Sequence, residues 1–356
     1  MAYTTIDDPS KYFQTKLWTG DSNDDRNLTN DGNSDLQPDF LWNKRRNQTG
    51  SHQLHDSSRG VTNVILSNGT NAEQAEANAV QAFQTDGFQV GTDGSINNDT
   101  ITYVAWQWKC NGGTTTTNDA SATSVGNQDS VYQVNTTAGF SIGTYSGASQ
   151  VGTMAHGLSA VPHVMIVKCR SDAEPWEIYH HKNTSAPETE YIRFDSANGT
   201  ADSAHIWNDT APTSSIFTVG NTGSGNESNK TYVFYMWKEI QGYSKFGSYT
   251  GNGNADGAFV YTGFKPALVI QKQTSANGEY WMMKDNKREP YNQTDANVYP
   301  NANNAEGDTN AIDLLSNGFK HRSTGAGSNA SGATYIYMAW AESPFVSSEG
   351  VPTTAR

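Results

Sequence analysis

Cysteine is scarce in this chain: 356 residues carry two, Cys110 and Cys169. They fall in different parts of the sequence, and a disulfide framework in similar domains would repeat its cysteines, so both read as free thiols. No apolar run approaches the length of a membrane-spanning helix, which excludes membrane insertion by helices. Basic residues are few, 23 Lys and Arg against 36 Asp and Glu, for a net charge of −13. The one basic run, Lys44-Arg45-Arg46, is too short for a nucleic-acid footprint. Long stretches with apolar residues at helical spacing are also missing; the best helical candidate, Asn71 to Phe83, is Ala-rich and marginal. The opening Met1-Ala2-Tyr3-Thr4-Thr5 is polar and unlike a secretory signal, so cytosolic synthesis is expected.

Turns and aromatics are plentiful. There are 33 Gly, 17 Tyr and 9 Trp, with hydrophobic residues at only 35%. Asn-Gly, Asp-Gly and Ser-Gly pairs punctuate short strand-like runs. Few but large side chains suit small β-layers, because each aromatic buries much area.

The sequence states one pattern three times. Leu17-Trp18-Thr19-Gly20, Thr144-Tyr145-Ser146-Gly147 and Ser248-Tyr249-Thr250-Gly251 open each copy. Strands beginning at Pro38, Pro162 and Pro266 follow, then Gly87-Phe88, Ile216-Phe217 and Gly318-Phe319. Aromatic strands starting at Tyr103, Tyr232 and Tyr335 close each copy. Proline-to-tyrosine spacing is 65, 70 and 69 residues; phenylalanine-to-tyrosine spacing is 15, 15 and 16. A threefold module argues for binding or assembly before it argues for an active site.

The expected fold is all-β: three tandem antiparallel β-sandwich or jelly-roll modules. The expected boundaries are a leader at 1–11, repeat 1 at 12–110, a Thr/Asn/Gly-rich linker at 111–138, repeat 2 at 139–241, repeat 3 at 242–346 and a polar tail at 347–356. Ser130-Val131-Tyr132-Gln133-Val134 alternates and reads as a strand within the linker. The unequal joints predict a tight pair of repeats 2 and 3, with repeat 1 more freely placed. In the last strand, Tyr335, Tyr337 and Ala339 share one face and Ile336, Met338 and Trp340 the other. Both faces are apolar, so the strand should be central, and Trp106, Trp237 and Trp340 belong to module cores.

Motifs for chemistry are sparse. Glu306-Gly307-Asp308 is an incomplete version of the laminarinase strand motif, and the acid pairs Glu174 with Glu177 and Glu188 with Glu190 match none. His52, His55, His156, His163, His180, His181, His205 and His321 form no ligand motif and read as surface residues. Asx-rich loops at Asp21–Asp25, Asp31–Asp35 and Asn252–Gly257 offer alternating oxygens suited to structural calcium, with self-bonded Asx turns as the plainer explanation. No catalytic, cofactor-binding or metal residue is assigned, and no ligand-binding residue is singled out. Trp176, Trp207 and Trp281, outside the closing strands, are the candidates for stacking on a sugar.

The phrases Met1-Ala2-Tyr3 through Tyr12-Phe13-Gln14-Thr15, Asn30-Asp31-Gly32-Asn33-Ser34-Asp35, Tyr103-Val104-Ala105-Trp106-Gln107-Trp108-Lys109, Gly242-Tyr243-Ser244-Lys245-Phe246-Gly247 and Tyr335-Ile336-Tyr337-Met338-Ala339-Trp340 resemble structural proteins of tailed phages of marine bacteria, including cyanophages. The resemblance covers nearly the whole chain. It implies a lectin-like sandwich on the virion surface, assembled in the host cytoplasm, with no catalytic residues to carry over. The expected role is non-enzymatic: a capsid decoration or knob, with a tail fibre or lectin-like adhesin for host surface glycan as the alternative and a glycan depolymerase more remote. Expected partners are other capsid or tail proteins and further copies of the chain, with neither nucleic acid nor membrane.

Overall fold

The computed structural model describes residues 2–354. The three aromatic closing strands, Thr102–Trp108, Thr231–Trp237 and Thr334–Pro344, are each an interior strand of a large antiparallel sheet. On one side of each lies an opening strand: Phe13–Thr19, Phe140–Ser146 or Ser244–Thr250. On the other lies the proline-led strand, Phe40–Arg45, Val164–Cys169 or Phe264–Gln273, and then a fourth strand, Gln53–Asp56, Trp176–His180 or Met282–Asp285. The chain is all-β, its antiparallel sheets stacked in sandwich layers.

Alternation assigns each closing strand two jobs. Tyr103 and Ala105, Tyr232, Phe234 and Met236, and Tyr337 with Ala339 face outward into separate clusters. Smaller sheets cover those outer faces. They contain the pairs Arg26–Leu28 with Phe88–Val90, Gly152–Ala155 with Ile216–Val219, and Phe259–Tyr261 with Gly318–His321. Here the recurring Gly-Phe phrase has its reason. A Cβ on Gly87 or Gly318 would lie 2.0 Å from the carbonyl oxygen of Leu28 or Val260.

The inner faces meet one another. Val104, Trp106 and Trp108, Val233, Tyr235 and Trp237, and Ile336, Met338 and Trp340 belong to a single buried cluster. At its centre three indoles touch. Trp108 and Trp340 lie 5.2 Å apart, Trp237 and Trp340 5.9 Å, and Trp108 and Trp237 6.4 Å, all edge to face. Phe13, Phe140 and Phe246 pack around them. Each aromatic contributes on the order of 3 kcal/mol or more on burial.

Four expectations change. Repeat 1 is not freely placed, because its Trp108 is one third of the shared core. The tryptophan matching Trp237 and Trp340 is Trp108, not Trp106; register aligns Trp106 with Tyr235 and Met338, since Thr15, Ile142 and Phe246 pair with them in turn. The stretch 111–138 is not a bare linker: Thr116–Asn118 and Ser130–Asn135 add two strands to the second large sheet, beyond the opening strand Phe140–Ser146. Its hydroxyl-rich residues suit an exposed sheet margin. Finally, 71–83 forms no helix; Gln74–Ala75 and Val80–Phe83 are strands, the latter packing Val80 against Phe88 and Val90.

Trp340→Ala should lower unfolding free energy by about 3–5 kcal/mol. Urea titration followed by tryptophan fluorescence and far-UV circular dichroism should still give one coincident transition, because each sheet, besides its own outer cluster, needs the shared inner core to cover its inward face. A residual transition from one intact repeat would contradict this.

Candidate functional site

The surfaces where chemistry gathers are the three junctions between sheets. Each proline-led strand carries a buried lysine at the same register, Lys44, Lys168 and Lys272, paired with Val104, Val233 and Ile336. Each donates to the carbonyl of its own successor: Arg45, Cys169 and Gln273. Lys168 also reaches Thr70 O in repeat 1, and Lys272 reaches Ala197 O in repeat 2. Burial without a carboxylate in contact pulls all three pKa values down to about 8.

Ion pairs bind the same seams. Glu73 of repeat 1 accepts Arg170 of repeat 2 at 2.8 Å, and also Arg59, which is held by Asp56. Glu306 of repeat 3 accepts Arg46 of repeat 1 at 2.8 Å, and also Arg288, held by Asp285. Tyr235 Oη donates to Asp56, and Trp106 Nε1 to Asp285, so both carboxylates are shared across a seam. Between repeats 2 and 3 the equivalent positions are neutral, and the ion pair there, Lys245 with Glu239, lies beside the opening strand. His180 replaces the aspartate and meets Tyr337 O, while Thr200 donates to Asn183 in place of glutamate and arginine. Repeat 1 therefore grips repeat 2, repeat 2 grips repeat 3, and repeat 3 grips repeat 1. The ring is closed.

A groove runs along each seam, beside an opening strand. Beside Phe140–Ser146 it is filled by the strand Ser130–Asn135. Gln133 there donates to Ser57 Oγ (2.7 Å) and Ser58 Oγ (2.8 Å), and its carbonyl accepts the N–H groups of Asn111 and Gly113. Beside Ser244–Thr250, side chains fill it: Glu239 accepts Phe246 N–H at 2.9 Å, and His181 Nε2 donates to Phe246 O at 2.6 Å. Several opposing donors hold the Glu239 carboxyl down at about 2 despite burial. Beside Phe13–Thr19 no strand or side chain among the described residues fills the groove. It is a cleft of about 330 Å3 between repeats 1 and 3, lined by Gln14, Thr15, Asn33, Asn286, Lys287 and Glu342 among others. A second open depression, about 500 Å3, lies on repeat 2 beside Asn127, Tyr145 and Arg170.

The residues singled out from sequence are mostly committed elsewhere. His52, His55, His156, His180 and His321 are buried, not surface residues. Desolvation drives His55 and His156 down to about 4 and His180 and His321 to about 3; neutral His55, His156 and His180 hydrogen-bond to backbone carbonyls, while His321 stacks on Tyr249. Trp176, Trp207 and Trp281 are fully buried and cannot stack on a sugar; Trp176 Nε1 donates to Leu66 O and Trp281 Nε1 to Arg193 O, again across seams. Glu174 binds Lys230 and Glu177 binds Arg193, each about 2.7–2.8 Å away. Cys110 and Cys169 are buried free thiols.

The Asx loops are tied into turns. Asn252 and Asn254 accept the N–H groups of Asn254 and Asp256, and Asp256 pairs with Lys320 and Arg322. Buried Asn97 and Asn329 pin the loops from behind, at Asn23 O and Asn254 O. Asp31 pairs with Lys16 and Lys287. Carboxylates do converge at Glu289, Asp295 and Asp308, within 4.8 Å of one another, a trio the sequence pattern did not mark. Burial, then the nearby Asp295, raises the Glu289 pKa.

Three substitutions test this account of the buried polar groups. A histidine that is neutral in the fold yet protonates at 6.5 when unfolded leaves the unfolded state binding more protons below that pH. Stability should therefore fall as pH drops from about 6.5 towards 4. His156→Asn should flatten that slope by about 1 kcal/mol per pH unit, read from urea midpoints between pH 6.5 and 5. Asp56→Ala removes one of the two carboxylates that hold buried Arg59 and the acceptor of Tyr235 Oη, and should cost about 3–5 kcal/mol by the same titration. Thr200→Ala, at the neutral seam, should cost about 1 kcal/mol.

No curated protein and no solved structure matches the chain. Residues 8–344 match one family throughout, from the N-terminal side of the first opening strand to the end of the last closing strand. The chain belongs to the family described as Domain of unknown function (DUF7483).

Proposed function

We propose that this chain is a non-enzymatic structural protein of a phage particle surface, of the capsid-decoration or knob kind. The observation that carries the reading is the closed ring of seams. Arg46 with Glu306 and Arg170 with Glu73 join one repeat to the next, and Glu174 and Glu177 each bind a cation within repeat 2. A body of stacked sheets with one interior and an acidic surface suits a compact, protease-resistant knob in an assembly. The likeness of its phrases to virion proteins of marine tailed phages points the same way. Other capsid proteins and further copies of the chain are the partners this reading expects.

A second reading, a tail-fibre or adhesin role at host glycan, is favoured by one specific observation. The exposed aromatics Phe259, Tyr261, Tyr280 and Tyr291 all belong to repeat 3. Tyrosine rings at a surface are suited to stacking on sugars.

Quantitative mass spectrometry of purified virions separates the two. On the order of hundreds of copies, near a simple fraction of the major capsid protein, is the expected result for a lattice-bound decoration. About a dozen would overturn it and place the chain on the tail.

A further inference from the structure

The three grooves follow one plan, and described residues fill two of them. We infer that the third, between repeats 1 and 3, is a docking site for an extended strand of a partner polypeptide. The strand would pair with the free edge of Phe13–Thr19 and place an amide side chain in the cleft. This goes beyond a role on the particle surface and does not depend on it.

The edge comes first. Phe13–Thr19 pairs only with Thr102–Trp108, so it ends its sheet among the described residues. Thr15 pairs with Trp106, as Phe246 pairs with Met338 and Ile142 with Tyr235. In the other two sheets that residue has an outer partner. Ile142 pairs with Gln133, and the backbone N–H and C=O of Phe246 are taken by Glu239 and His181. By register Thr15 presents the same two backbone groups to the open cleft. Its hydroxyl Oγ1 is buried without a hydrogen-bond partner, and Thr15 lines the cleft. An unpaired edge with a sheltered, unsatisfied hydroxyl is a template for strand addition.

The walls then say what fits. In the filled groove the amide of Gln133 sits against Ser57 and Ser58, and Asp39 fills the space behind by accepting the N–H groups of Cys110, Gly112 and Gly113. In the third groove Asn286, whose amide donates to Glu342 at 2.6 Å, and Lys287 stand where Ser57 and Ser58 stand, and Ala267 where Asp39 stands. These correspondences follow from Phe40 pairing with Asp56 and Leu268 with Asp285. Shrinking aspartate to alanine leaves the cleft its volume. Its floor is Phe13, Thr15, Ala267 and Ala341, and its sides are polar, with both charge signs. That is the chemistry of a strand with an amide or hydroxyl side chain flanked by small apolar ones. The pair Lys287–Asp31 spans the cleft at 2.8 Å, but both side chains are about half exposed, so opening it costs about 1 kcal/mol or less.

The chain supplies its own probe. A synthetic peptide with the sequence of residues 129–136, Asp129-Ser130-Val131-Tyr132-Gln133-Val134-Asn135-Thr136, is the strand that fills the sister groove. Added to the full-length ¹⁵N-labelled protein, it should bind saturably with Kd about 1 mM or tighter. Amide shifts should centre on Gln14 to Leu17, Asn33, Asn286 and Lys287. The same peptide with leucine for glutamine should bind at least tenfold more weakly. Thr15→Pro, which removes one outward N–H from an edge strand, should weaken the parent peptide similarly. No saturable shifts, shifts centred elsewhere, or indifference to the glutamine would overturn the assignment. So would a concentration-dependent dimer of the protein alone that Thr15→Pro dissolves, since the groove would then belong to a second copy.

Discussion

Three indole rings set the architecture. Trp108, Trp237 and Trp340 end the inner face of their closing strands, and each touches the other two within 6.4 Å. Their Nε1 atoms find no conventional acceptor among the described residues. Interplanar angles of 64–72° set ring edges against ring faces, the arrangement in which an indole N–H meets a π cloud. The packing beside them leaves a void of only about 10 Å3. A contact of this kind has no meaning for one repeat alone. Each sheet, outward face covered by its own small sheet, still lacks a cover for Trp, Val and Ile on the inward face. The other two sheets are that cover.

Once the inner faces are fixed, the seams must carry polar groups into low-dielectric surroundings, where an unpaired charge is expensive. Two seams solve this with a carboxylate shared among arginines and an aromatic N–H or O–H. The third has neutral His180, Asn183 and Thr200 at the equivalent positions and keeps its ion pair, Lys245 with Glu239, beside the opening strand. The lysines at the shared register are answered by carbonyls alone. The grooves beside the seams diverge in the same manner: one holds a strand, one holds Glu239 and His181, and one stays open. Function in a repeated scaffold tends to sit where the copies differ, and the open groove is the plainest such difference here.

Much of this was legible in sequence. Alternation in Tyr335-Ile336-Tyr337-Met338-Ala339-Trp340 foretold a strand covered on both faces, and all six residues are buried. The landmark spacing foretold sheets of one plan. What alternation cannot say is which partner covers each face, so Trp340 looked like the core of one module rather than of three. Trp106 was matched with Trp237 because both follow an aromatic start; only hydrogen-bond register puts Trp108 there. The extra length between repeats 1 and 2 was visible, but an Asn/Thr-rich run at a sheet margin has the composition of a loop. Gln133 and Thr15 carried no motif at all, since their roles come from position along a seam. The histidines misled for a related reason: a buried imidazole is neutral and behaves as an amide-like donor and acceptor, which composition does not reveal.

Native-state hydrogen exchange tests the central claim, that the sheets share one interior, most directly. Slowest-exchanging amides should lie in all three closing strands, Thr102–Trp108, Thr231–Trp237 and Thr334–Pro344. Their opening free energies should agree with one another and with global unfolding. If one closing strand exchanges through a sub-global opening while the other two stay protected, the repeats are separate folding units and the shared core is not what holds them.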